Sequence, residues 1–358
     1  MLTETVPTYV IDLAAREPKR WAEVISRQRD AARHLVAEAA VEFQGVPEAL
    51  RWGFGFLYRS WGGLYRREIQ AWAEGLGVSV GTTTLLNCAY ELSHARWPGL
   101  FGCAAGLRWV AKVFGCTAGI RWVDGLGPVH ARSLDWPLPS IAGATCLFRM
   151  RRGPREFVVV GMAGHVGALS GMLPHAYSVT INWAPPTSLP TFDFGPAFLL
   201  RHTLETCDSY EAAVTSLKST RLSTSAFYTI CGTERGQACV IERTQREAVV
   251  REMTGAVLVQ ANHHLASRFQ GNNQQLREVE EGEQESFFND SARRLEALER
   301  VLEETRAGCR LDEVGGCLNV APVLNDYTCQ RMAFCPRTGE AKVWKEEGPT
   351  RQRGDLPG

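Results

Sequence analysis

The sequence predicts an α+β protein with largely antiparallel sheets and helices on the outer faces. Three observations carry that prediction. The N-terminal third is helical by period, the middle is rich in short apolar runs, and the two kinds of element come in blocks rather than in βαβ alternation. With 358 residues, the chain is long enough for one large domain or two ordinary ones with a sizeable core.

The elements follow in order. Residues 7–13, PTYVIDL, read as a short strand. Across 16–43, Trp21, Val24, Ile25, Leu35, Val36 and Ala39 recur at three- and four-residue spacing, which is the period of an amphipathic helix. A second helix over 46–61 stops at Gly62 and Gly63, and two more cover 65–76 and 82–94. Apolar runs at 145–150, 157–160, 177–183, 227–231, 238–242 and 248–253 read as strands. Glycines 161, 164, 167 and 171 mark turns between them, and the stretch GMAGHVGALSG matches no phosphate-binding glycine motif. Helices are predicted over 196–206 and 210–219, the latter capped by Asp208 or Ser209. A polar loop spans 271–285. A helix then starts at Asp290 or Ser291 and carries Arg293, Arg294, Leu295, Leu298 and Leu302. Residues 327–345 form a closing hairpin turning at 336–340.

Composition excludes several classes of function. Lys+Arg and Asp+Glu are both 39, so no overall field draws nucleic acid. No run is long and apolar enough for a membrane span, and the first residues lack a basic-then-apolar leader. Eleven cysteines are scattered, odd in number and without a CxxC pair. They read as reduced thiols of a cytoplasmic protein rather than as disulfides or a zinc site. No metal and no cofactor is expected. His263 and His264 are neighbours on a strand end and face opposite ways, which disfavours a shared metal.

The chemistry concentrates in residues 115–137, GCTAGIRWVDGLGPVHARSLDWP. A cysteine attacks an amide as its thiolate and needs a base. If the chain is cut after Gly115, the freed α-amine of Cys116, with a pKa of about 7.7–8.0, can be that base. Gly115 suits a strained cleavage site because it has no Cβ. A hairpin turning between Gly125 and Leu126 places Cys116 opposite Asp135 on one face. Arg132 then falls on the other face and needs a bulge near Ser133 to join the site. His130 reads as structural, since the amine already supplies the base.

Cys116-Thr117 followed by His130, Arg132 and Asp135 in the form HxRSLDW resembles the start of the mature catalytic subunit of acid ceramidase and N-acylethanolamine-hydrolysing acid amidase. Choloylglycine hydrolases and penicillin acyltransferases are more distantly similar. LLNCAYELSH resembles the segment those amidases place before their cleavage site. VQANHH resembles the strand ending in a site asparagine, here Asn262. TINW resembles the strand that presents an oxyanion-side asparagine, here Asn182, and DSARRLEAL the helix with a late site arginine, Arg293 or Arg294.

The resemblance implies a four-layer αββα Ntn-hydrolase core over 116–358, preceded by a helical propeptide over 1–115 that stays bound after cleavage. It implies Cys116 as nucleophile, with Asp135 and Arg132 positioning amine and thiolate. The expected substrate is a small linear N-acyl amide, and peripheral contact with a membrane or lipid is admitted. Acyl transfer and a catalytically inactive binding protein are the alternatives. Trp52, Tyr58 and Trp61 either pack in the core or cover an acyl-chain tunnel.

One departure stands out. FGCAAGLRWV at 101–110 and FGCTAGIRWV at 114–123 share eight of ten positions, so Cys103 is a second candidate nucleophile. Cys103 lies nearer the AYE segment, but only Cys116 has Arg132 and Asp135 at the matching downstream distance.

Overall fold

A computed structural model describes residues 6–42, 63–94, 115–277 and 285–346. Helices are α1 (Glu17–Glu42), α2 (Arg66–Leu76), α3 (Val80–Asn87), α4 (Ala89–His94), α5 (Ser140–Ala144), α6 (Pro196–Thr206), α7 (Tyr210–Ser219), α8 (Phe287–Glu304) and α9 (Leu311–Gly316). Strands are β1 (Thr8–Asp12), β2 (Gly115–Val123), β3 (Gly127–Asp135), β4 (Thr145–Arg152), β5 (Arg155–Met162), β6 (Ser170–Leu173) and β7 (Tyr177–Trp183). They continue with β8 (Ala226–Cys231), β9 (Ala238–Arg243), β10 (Ala248–Glu252), β11 (Val257–Gln260), β12 (Thr328–Cys335) and β13 (Glu340–Lys345).

These strands form two sheets. One has eight strands in the order β1-β4-β5-β6-β7-β8-β9-β10, and the other five in the order β11-β2-β3-β12-β13. Every pairing is antiparallel except β1 with β4. Ile120, Phe227, Val240 and Leu258 fill the space between the sheets at one end, and Val158, Met172, Met332 and Phe334 at the other. Leu298, Leu302, Leu311 and Val314 of α8 and α9 cover the outer face of the smaller sheet. Trp21, Leu35, Trp72 and Leu200 of α1, α2 and α6 cover the larger. The order of layers is therefore α, β, β, α, with the central strands of each sheet buried on both faces.

Local sequence explains most boundaries, but several differ from expectation, among them Ser267–Leu276, a 3-10 helix that enters the polar loop expected over 271–285. The helix expected over 82–94 is two helices that break at Cys88. Residues 170–173, inside the glycine-rich stretch read as turns, form β6, where a Cβ on Gly171 would meet the Val158 carbonyl at 2.7 Å. α8 begins at Phe287, not at Asp290 or Ser291, because the Ser286 hydroxyl accepts the Asn289 N–H and caps it. The helix expected over 46–61, with Trp52, Tyr58 and Trp61, lies outside the described residues. Among the described residues no helix is long and apolar enough to cross a membrane.

A buried ionic cluster ties α2 to α6. Arg201 donates to both oxygens of Glu68 at 2.7 and 2.9 Å and to Glu205 at 2.8 Å, while Trp21 Nε1 donates to Glu68 at 2.8 Å and Arg20 pairs with it as well. Burial alone would raise the Glu68 carboxyl, but Arg201 and Arg20 hold it below its ordinary range. Breaking such a pair strands a buried charge. Glu68→Leu should lower folding stability by about 3–5 kcal/mol, measured as a shift in the urea midpoint. A variant within 1 kcal/mol of wild type would show that the cluster contributes nothing net.

Candidate active site

The hairpin of β2 and β3 holds the site, and its register differs from the expected one. Residue pairs run Gly115↔Asp135, Cys116↔Leu134, Ala118↔Arg132 and Ile120↔His130. The turn centres on Gly125 rather than between Gly125 and Leu126. The loop Asp124–Gly125–Leu126 is closed by Leu126 N–H donating to Val123 O at 3.2 Å, and both Gly125 and Gly127 have positive φ. This one-residue difference exchanges the faces. Arg132 now shares the face of Cys116 with no bulge in β3 against β2, whereas Asp135 lies on the other face beside Gly115.

Each polar atom of Cys116 is held by a side chain. Arg132 Nη2 donates to Sγ at 3.3 Å, and the Cys116 N–H donates to Asn262 Oδ1 at 2.9 Å. The Cys116 carbonyl accepts from Arg294 Nη1 at 3.0 Å and from Asn182 Nδ2 at 3.3 Å. Arg294 also donates to Asn262 Oδ1 and Thr117 Oγ1, each at 3.0 Å, and is anchored on Asp290 at 2.8 Å. Asp135 Oδ1 accepts from Ser133 at 2.7 Å and Thr328 at 2.9 Å. Among the described residues, Asp135 Oδ2, Asn182 Oδ1 and Arg132 Nε are buried without a hydrogen-bond partner. A Cβ placed on Gly115 would lie 3.0 Å from that Oδ2, so the free carboxylate oxygen faces the residue before Cys116.

The electrostatics turn on Arg132, which is fully buried and, among the described residues, has no carboxylate within ion-pair distance. It donates instead to Ser170 Oγ at 2.8 Å, Ile181 O at 2.7 Å and Cys116 Sγ. Burial raises the Cys116 thiol above its ordinary value, Arg132 opposes this, and Asp135 adds to it. Burial outweighs the guanidinium, so the net direction is upward and the neutral thiol is favoured. Burial likewise raises Asp135, against Arg294, Ser133 and Thr328.

The structure brings together Cys116, Arg132, Asp135, Asn182, Asn262 and Arg294, six of the residues expected from sequence. Arg293 is not among them, since it points outward and pairs with Glu285. Cys103 lies outside the described residues. His130 is locked between Ser178 and Thr180 at 3.1 Å each and kept neutral, its pKa lowered by burial and by Arg132 to about 3. Sequence reasoning named Thr117 and Ser133 without giving either a contact in the site, and missed Ser170 and Thr328, short polar residues on strands that nothing local distinguishes. The choice between the arginines was available, because Arg294 shares a helical face with Leu298 and Leu302 while Arg293 does not.

The family model described as acyl-coenzyme A:6-aminopenicillanic acid acyl-transferase matches residues 124–308, more than half of the chain. The chain belongs to this family. It is a member of the Ntn-hydrolase superfamily, as the resemblance implied. Acid ceramidase of Rattus norvegicus is 24% identical over 277 residues, covering 68% of this chain and 65% of that protein. N-acylethanolamine-hydrolyzing acid amidase of Mus musculus is 26% identical over 258 residues, covering 67% and 64%. The chain thus spans just under two thirds of the length of these relatives. The solved structure of a Caenorhabditis elegans N-acylethanolamine-hydrolyzing acid amidase ortholog superposes with a TM-score of 0.51 at 18% identity. It covers 64% of this chain and all of that one, which establishes the shared fold.

Buried histidines set the pH response of the family's fold in this chain. Burial lowers His94 and His130 to about 3 and His165 and His263 to about 4. An unfolded histidine protonates near 6.5, so below that pH the unfolded chain binds protons that the fold refuses, and stability falls. Glu91, raised by burial to about 7, and Asp135 act in the opposite sense, two groups against four. The denaturation midpoint should therefore drop steadily from about pH 6.5 to about 4.5. A midpoint flat across that window would refute the assignment.

Proposed function

We propose that the chain cuts its own Gly115–Cys116 bond and then acts as an N-terminal-cysteine amidase. Its substrate is a linear N-acyl amide with a fatty-acyl-type chain, and the bond broken is the carbon–nitrogen bond. The observation that carries this reading is that the Sγ, N and O of Cys116 are each held by a different site side chain.

In maturation Sγ attacks the Gly115 carbonyl, the C–N bond breaks and the thiol proton passes to the departing nitrogen. Water then hydrolyses the Gly115 thioester, leaving a carboxylate and the α-amine of Cys116. We assign that freed amine to Asp135, whose unpartnered Oδ2 faces Gly115, the residue before it. In turnover the amine takes the thiol proton, Arg132 holds the thiolate, and the sulfur attacks the acyl carbonyl. Asn262 and Asn182 supply N–H donors to the oxyanion by turning Nδ2 groups that in this structure donate to Trp183 O at 2.9 Å and to Gln260 O at 3.0 Å. The amine product leaves with the proton, and water releases the acid.

Cys116 is preferred to Cys103 because the strand position demands more than a cysteine. The residue after Cys116 is Thr117, whose hydroxyl accepts from Arg294, whereas Ala104 follows Cys103. Residues 1–115 and 116–358 are the proposed mature pieces. β1 pairs with β4 and Glu68 with Arg201, across the cut, which favours their staying together. The ten described cysteines are all free, which favours a reducing, cytoplasmic setting. The family's name favours a second reading in which a bound amine replaces water and the acyl group is transferred.

Intact-mass measurement of the expressed protein should show fragments of 115 and 243 residues. Cys116→Ala should abolish the cut, and Gly115→Ala should slow it by crowding Asp135. A single uncut mass after mild-acid incubation favours an inactive binding protein, and processing that survives Cys116→Ala moves the nucleophile to Cys103. In the cut enzyme, Asn262→Ala should lower kcat about 10²–10³-fold on an N-acyl amide. A kcat within twofold of wild type would remove Asn262 from the oxyanion site.

A further inference from the structure

The proposed oxyanion donor Asn262 stands two residues past the end of β11, whose last pairing with β2 is Gln260↔Ala118. Its N–H therefore leaves the sheet ladder and donates to Ser291 Oγ on α8 at 2.8 Å. The same oxygen lies at hydrogen-bond distance, 2.7 Å, from His263 Nδ1. Ser291 is fully buried and sits one turn before Arg294, which holds the Asn262 side chain through Oδ1. One helical face thus fixes both the backbone and the side chain of Asn262.

We infer that Ser291 is a positioning residue for Asn262, and that His263 sets the Ser291 rotamer. This rests on the reading of Cys116 and Asn262 given above. A serine inside a helix ordinarily turns its hydroxyl back to the carbonyl four residues earlier. Here the His263 Nδ1 acceptor draws it outward, leaving its oxygen lone pairs for the Asn262 N–H. That role needs a neutral imidazole with the proton on Nε2. Burial and the nearby Arg294 and Arg251 keep the ring neutral, against Glu242, the one facing carboxylate in the set; His264 also opposes the charge. The ring is packed against Phe288 at 5.0 Å, and the Arg277 guanidinium lies over that phenyl at 3.8 Å. Removing the Ser291 hydroxyl leaves a buried N–H without a partner and lets Asn262 drift, and a drift of about 1 Å at a reacting centre can cost ~10²-fold in rate.

The test uses the self-cut full-length protein, with active sites counted by thiol alkylation, and lauroyl aminomethylcoumarin amide as the probe. Ser291→Ala should lower kcat by about 10- to 100-fold while KM stays within twofold, and Ser291→Thr, which keeps the hydroxyl, should recover most of it. If Ser291→Ala does not fold, His263→Ala should show the same split with a smaller loss. A kcat unchanged in the alanine variants, or a rise in KM at constant kcat, overturns the positioning role. Wild-type protein that is cut but releases no coumarin overturns it by a separate route, since the amidase reading beneath it has then failed.

Discussion

The contact between the Arg132 guanidinium and the Cys116 sulfur constrains the rest of the molecule. A buried cation with no carboxylate partner among the described residues is expensive, and the fold surrounds it with acceptors: the Ser170 hydroxyl, the Ile181 carbonyl and the sulfur itself. The hydroxyl and the carbonyl come from β6 and β7 of the larger sheet and the sulfur from β2 of the smaller, so the charge sits at the seam between the sheets. The same demand explains His130, two residues away on the same face. A protonated ring there would add a second cation, and burial together with Arg132 keeps it neutral. Ser178 and Thr180 satisfy both of its nitrogens, so the ring fills the seam without carrying charge.

The second organising element is α8. It can reach the Cys116 carbonyl because Gly119 of β2 lets it approach; a Cβ there would lie 2.6 Å from Leu302. Arg294 then spans from Asp290 on its own helix to Asn262, Thr117 and Cys116 on the sheet. Its positive charge also opposes the burial that raises Asp135. Two arginines, one from each side of the smaller sheet, therefore bracket one cysteine. The first meets the sulfur and the second meets the peptide group.

Long-period features were legible in the sequence because their signals are redundant. α1, α6 and α7 follow from spacing and caps, and the hairpin of β12 and β13 from its turn. The hairpin register was not legible. It depends on whether the loop between β2 and β3 holds two residues or three, and Gly125, Leu126 and Gly127 permit either. The backbone chose by placing both glycines at positive φ. That choice moved Arg132 onto the Cys116 face and removed the need for a bulge. β6 was hidden for a related reason: its Gly171 reads as a turn but is required by close approach of the Val158 carbonyl. Ser291 was hidden because a serine near a helix start reads as a cap, a role that Ser286 fills.

The duplicated stretch shows why contacts discriminate where motifs do not. Both copies carry the glycine, the cysteine and the glycine three residues on that α8 demands. They differ at two positions, and one of them, Thr117 against Ala104, meets Arg294. An alanine at that position would leave one Arg294 N–H without its hydroxyl acceptor in a fully buried setting, which typically costs about 1–3 kcal/mol. The second copy also alone stands at the distance from Arg132 that a three-residue turn fixes. On the proposed reading, the preference for Cys116 over Cys103 therefore rests on the strands and helix that follow it in the chain.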